Sequence, residues 1–60
     1  MPNIAVRFQF EGHTYVLPPG KRYAHLSDSR ILQVDNDGKV SIYYSRPDES
    51  EVADLTAEDQ

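Results

Sequence analysis

Cysteine is absent from this 60-residue chain, as is tryptophan, and methionine occurs once. Without thiols there is no disulfide to staple the fold and no thiolate metal site. The lack also fits a reducing compartment, so the cytoplasm is the expected location. No apolar run approaches the roughly 20 residues that span a bilayer, and no membrane partner is expected. The opening residues Met1-Pro2-Asn3-Ile4 lack the basic and long apolar regions of a secretory leader. Basic residues are missing from one stretch altogether. All six (Arg7, Lys21, Arg22, Arg30, Lys39 and Arg46) precede Pro47, whereas Asp48, Glu49, Glu51, Asp54, Glu58 and Asp59 follow it.

The charge is therefore divided. Residues 1–46 carry six positive and four negative side chains, net +2, and residues 47–60 carry net −6. The whole-chain value of −4 describes neither part, and opposite charges on one chain attract each other. The chain divides accordingly into a β domain, 1–46, and an acidic tail, 47–60. Sixty residues allow one core and no second. So small a core is marginal, which favours folding as a homo-oligomer or against a partner.

What is present reads as two β-hairpins. Ile4, Val6, Phe8 and Phe10 alternate with Ala5, Arg7 and Gln9, the period of a half-buried strand. Glu11-Gly12 breaks the pattern, and as a two-residue loop it sets Phe10 opposite His13, Phe8 opposite Tyr15 and Val6 opposite Leu17. Pro18-Pro19-Gly20 ends the second strand, because proline donates nothing to a ladder. The second hairpin runs from Arg30 to Val34 and from Lys39 to Ser45. A three-residue loop, Asn36-Asp37-Gly38, pairs Val34 with Val40 and Leu32 with Ile42, whereas a two-residue loop at Asp37-Gly38 would put Val34 opposite Ser41. The longer loop keeps apolar partners together and is preferred. Ile4, Val6, Phe8, Phe10, Tyr15 and Leu17 then make one inner face, and Leu32, Val34, Val40, Ile42 and Tyr44 the other. A lone hairpin is unstable in water. The fold class expected is thus all-β: a small antiparallel sheet or open barrel of four or five strands.

Two stretches are less legible. Tyr23 and Leu26 fit either a helical face or a short strand, and Ser27-Asp28-Ser29 fits a turn. In the acidic tail, Ser45 stands three residues before Asp48, as at a helix start with Arg46-Pro47 in the first turn. Val52 and Leu55 are spaced for one helical stripe. Two anchors in fourteen residues make a marginal helix, and the acid-rich composition favours disorder. The tail is expected to be disordered or a short helix.

No constellation points to catalysis. Asp35-Asn36-Asp37-Gly38 resembles part of a calcium loop, but Gln33 and Tyr44 stand where its first and last acidic ligands belong, so a hairpin turn is the better reading. His13 and His25 have no cysteine to complete a zinc site. His25, Ser27 and Asp28 can be drawn as a triad, without a nucleophile elbow or an evident oxyanion site. Gly20-Lys21 lacks the other glycine of a phosphate loop. Pro18-Pro19 ends a strand more readily than it serves an aromatic groove. No catalytic residue, metal ligand or cofactor is expected.

Binding remains. Arg7, Gln9, Thr14, Val16, Gln33, Lys39, Ser41 and Tyr43 should point outward, with Lys21, Arg22 and Tyr23 between the hairpins. Arg7, Lys21, Arg22, Tyr23, Lys39 and Tyr43 are the candidate contact residues. The expected function is a non-enzymatic, regulatory interaction module that docks to a partner protein by a sheet edge, the outer face or the acidic tail. The alternative is a small β domain binding single-stranded nucleic acid, by stacking and phosphate contact, with an autoinhibitory acidic tail.

Overall fold

Six strands follow one another along the chain: β1 (Val6–Phe10), β2 (His13–Leu17), β3 (Tyr23–Leu26), β4 (Ile31–Val34), β5 (Val40–Ile42) and β6 (Val52–Leu55), with a 3-10 turn at Glu49–Glu51 before the last. This computed structural model describes residues 3–59; Met1, Pro2 and Gln60 lie outside them. β1 and β2 form a two-stranded sheet, and the other four form a sheet in the order β5-β4-β3-β6. The all-β class holds, with two sheets and one strand more than the largest number expected. No helix among the described residues is long and apolar enough to cross a membrane.

Both hairpins take the register that the alternation dictates. Phe10 faces His13, Phe8 faces Tyr15 and Val6 faces Leu17. Glu11 and Gly12 have φ of 51° and 81°, so both loop residues are left-handed, matching the twist of the strands they join. In the second hairpin Val34 faces Val40 and Leu32 faces Ile42. Asp35 N–H donates to the Lys39 carbonyl (3.0 Å) and Gly38 N–H to the Asp35 carbonyl (3.1 Å), with Gly38 at φ 82°. That is a type I turn closed by a left-handed residue. The β3–β4 connection repeats it: Leu26 N–H donates to the Arg30 carbonyl (2.9 Å), Ser29 N–H donates to the Leu26 carbonyl (2.9 Å), and Ser29 takes φ 73°. Tyr23–Leu26 is therefore a strand, and Ser27-Asp28-Ser29 its turn.

The core lies between the two sheets. Val6, Phe8, Tyr15 and Leu17 from the hairpin meet Ala24, Leu26, Leu32 and Val34 from the larger sheet. Phe8 and Tyr15 stack with ring centroids 5.3 Å apart. Leu17, Leu32 and Val34 are almost wholly enclosed, each worth about 1.5–3 kcal/mol of burial. Arg30 clamps the sheets together at the rim. Its guanidinium bonds both Glu11 carboxylate oxygens (2.8 and 2.6 Å), its Nε donates to Asp28 (2.7 Å), and it lies 4.9 Å over the Phe10 ring. These bonds hold the Glu11 and Asp28 carboxyls below their ordinary range and raise the guanidinium further.

Three residues assigned to the inner faces are outside. Ile4 is 67% exposed, Ile42 36% and Tyr44 91%. Ile4 precedes β1, where the cross-strand partner would be Pro19, which cannot extend a ladder. Ile42 occupies the edge strand, open on one side. Tyr44 lies past the end of β5; the β4–β5 register would set it opposite Arg30, a residue committed to the clamp.

The acidic segment does contain a short helical turn, of 3-10 form. It is capped by Asp48 rather than Ser45: the Asp48 carboxylate accepts from Ser50 N–H (3.1 Å) and Ser50 Oγ (2.9 Å), which keeps its pKa low. After it the chain extends into β6, parallel to β3, with Tyr23 opposite Val52, Ala24 opposite Ala53, His25 opposite Asp54 and Leu26 opposite Leu55. Ala53, Leu55 and Ala57 pack against the core. Glu58 N–H then donates to the Thr14 carbonyl (2.8 Å), tying this segment to β2. Within the described residues the acidic segment supplies an edge strand of the sheet.

Candidate binding surfaces

Alternation along the four-stranded sheet gives it a second, outer face. Ala24 and Leu26 turn into the core, so Tyr23 and His25 of β3 face the other way, alongside Ile31 and Gln33 of β4 and Val52 and Asp54 of β6. Tyr43, just past β5, joins them: its ring sits 4.7 Å from that of Tyr23, tilted by 46°. The chain must pass from β5 at one edge to β6 at the other, and it crosses this face. Arg46, Pro47 and Glu49 of the crossover, with His25, Ile31, Val52 and Asp54, line a groove of about 560 Å³.

His25 and Asp54 also border a second, smaller hollow of about 300 Å³ at the ends of β3 and β6, with Ser27, Ser29 and Thr56 on its rim. His25 Nδ1 and Asp54 Oδ1 are 2.8 Å apart. A carboxylate on Nδ1 orients the ring and leaves Nε2 to meet a ligand or water. Among the described residues no hydrogen bond joins the ring to a serine hydroxyl. Asp28, drawn with His25 and Ser27 from the sequence, binds Arg30 instead. No group of three or more metal-ligating side chains occurs among the described residues.

The six candidate contact residues do not form one patch. Tyr23 and Tyr43 are brought together on the outer face. Lys21 and Arg22 are engaged by the acidic segment: Lys21 Nζ donates to the Ser50 carbonyl (2.9 Å), and Arg22 Nε stands 3.7 Å from the Glu51 carboxylate. Arg7 lies exposed on β1. Lys39 follows the β4–β5 turn, whose Gly38 is so close to β1 that an added Cβ would lie 3.1 Å from the Arg7 carbonyl oxygen. Arg7 and Lys39 thus border the junction of the two sheets, away from the tyrosine pair.

Sequence reasoning missed the contacts of the acidic segment with the body. Both histidines of the chain pair with acids from it: His25 with Asp54, and His13 Nδ1 with Asp59 at 3.4 Å. The signal was the alternation of Ala53, Leu55 and Ala57, obscured by the helical spacing of Val52 and Leu55.

The sheet edges are the other candidate surfaces. β5 pairs with β4 on one side only, and Ile42 and Tyr44, two of the exposed large apolar side chains, belong to that edge or directly follow it. At the opposite edge β6 covers β3. No protein-family model matches the chain, nor does any curated protein or solved structure.

Proposed function

We propose that the protein is a non-enzymatic interaction module of the cytoplasm that regulates a partner protein by docking through the open edge of β5. The supporting observation is the combination at that edge. A strand paired on one side offers a row of main-chain donors and acceptors, and Ile42 and Tyr44 offer apolar anchors beside it. An extended segment added there gains affinity from main-chain bonds and specificity from alternate side chains.

Affinity capture at physiological salt tests this. The wild-type chain should retain a protein partner that the double substitution Ile42→Lys and Tyr44→Ser does not. Light scattering on both chains separates a second copy from a foreign partner. Retention of nothing by the wild type, or equal retention by both chains, refutes the proposal.

Tyr43, half-buried beside the buried Tyr23, favours a second reading, in which single-stranded nucleic acid stacks on the Tyr43 ring of the outer face. Glu51 and Asp54 lie beside that face and oppose a phosphate backbone. Neutralising them (Glu51→Gln, Asp54→Asn) should then strengthen binding and steepen its salt dependence. If the neutralised chain still ignores single-stranded DNA and RNA at low salt, this second reading is wrong.

A further inference from the structure

At the free side of β3 an extended segment from the acidic end of the chain lies along the strand. β3 is enclosed at three of its four positions, whereas β6 has no fully buried residue. β6 is therefore held by its backbone pairing, by the partial burial of Ala53 and Leu55, and by polar contacts. The side-chain contacts have one direction. Lys21, Arg22, His25 and His13 supply the nitrogen atoms, and Ser50, Glu51, Asp54 and Asp59 supply the oxygens.

A row of nitrogen atoms beside a strand edge that only the acidic segment covers is complementary to an extended acidic segment. The bound segment displays the pattern: an acid to Arg22, a small side chain against the core beside Ala24, an acid to His25, and an apolar side chain beside Leu26.

We infer that the β3 edge is a strand-addition groove for an extended acidic segment of a partner protein, running parallel to β3, and that β6 is its resident competitor. The partner segment carries acids at the positions of Glu51 and Asp54, with a small residue between them and an apolar residue after them. This site lies at the opposite edge from β5 and stands whether or not β5 binds anything.

The tethered occupant sets the affinity of a free one. A segment joined by a short linker competes at an effective concentration in the millimolar range, and a groove open for a fraction of the time weakens a free ligand by that fraction. Loosening β6 must therefore tighten binding in trans.

The test uses a fluorescein-labelled peptide with the sequence of residues 48–58, titrated by anisotropy into the full chain and into the full chain carrying Glu51→Lys and Asp54→Lys. Both side chains are outside the core, so the groove is preserved while its own occupant is repelled. The peptide should bind the double variant at least tenfold more tightly than the wild type. A scrambled peptide of the same composition should not bind it, and Ile42→Lys should leave the affinity unchanged, which separates this site from the β5 edge.

Four results would each overturn the inference: equal affinity for the two chains, binding that ignores residue order, no binding to the double variant, or dimers of that variant in light scattering that exclude the peptide. If the double variant does not fold, Asp54→Asn alone removes the carboxylate that meets His25 Nδ1 and should give a two- to fivefold gain; no gain there is equally fatal.

Discussion

Two turns of the same geometry carry different residues at the same strained position, and exchanging those residues is predicted to have opposite effects. Ser29 and Gly38 both occupy the left-handed position that closes a type I turn, at φ 73° and 82°. That conformation costs an L-residue roughly 1–2 kcal/mol through contact of Cβ with the backbone. Glycine escapes that cost but loses about 0.5–1 kcal/mol of additional chain entropy on folding. The net gain from Ser29→Gly is about 0.5–1 kcal/mol, since the Ser29 side chain makes no hydrogen bond among the described residues.

Gly38→Ser is the reverse and worse, because the new Cβ would lie 3.1 Å from the Arg7 carbonyl oxygen, a backbone atom with little room to move. A loss of about 1–2 kcal/mol or more is expected. For a domain of this size the unfolding entropy is about 0.13 kcal/mol/K. Ser29→Gly should therefore raise the melting temperature by about 4–8 °C, and Gly38→Ser should lower it by about 8–16 °C or more. Thermal unfolding followed by circular dichroism, with reversibility checked on cooling, reads both. A lower melting temperature for Ser29→Gly, or an unchanged one for Gly38→Ser, would refute the turn geometry.

Two further outcomes follow from the core and the rim. Leu32 is fully enclosed and Ile42 lies on an open edge, so Leu32→Ala should cost about 2–5 kcal/mol and Ile42→Ala less than about 1 kcal/mol. Denaturant titration of the two variants checks this, and similar losses would contradict the placement of Ile42. The rim makes a prediction in acid. Hydrogen bonds from Arg30 depress the Glu11 and Asp28 carboxyls below their ordinary values of 4.5 and 3.8. A depressed folded pKa contributes stability above the ordinary value and loses it as pH falls through the folded value. The melting temperature should fall as pH drops below about 4, and less steeply in Arg30→Gln; parallel pH profiles for the two chains would show that the clamp contributes nothing.

Residues 6–17 and 31–42 announced their pairing because period-two alternation and turn chemistry agree there. Only one register keeps Phe8 against Tyr15, and only the three-residue loop keeps Val34 against Val40. Tyr23–Leu26 was ambiguous because four residues fit either period; pairing with β4 on one side and β6 on the other decides it. The acidic segment was the least legible. Its strand rests on Ala53 and Leu55, too little apolar surface to stand out among acids, and on contacts of those acids with Arg22 and His25, far away in sequence. Composition sees six repelling charges, whereas the folded chain supplies Arg22, His13 and His25 beside three of them. For the same reason the tyrosine pair and the basic pair were legible as single residues but not as two separate environments. Ile4, Ile42 and Tyr44 carry the right parity, but alternation cannot tell where a strand stops or which strand lies at the edge.

The central claim is that the acidic C-terminal segment is an integral, parallel strand of the sheet. Nuclear Overhauser spectroscopy of the full chain tests it most directly. Cross-strand contacts between the Ala24 and Ala53 backbones, and between those of Leu26 and Leu55, together with extended-strand chemical shifts over residues 52–55, are the predicted result. Random-coil shifts over residues 49–59 with no contact to residues 23–26 would contradict it.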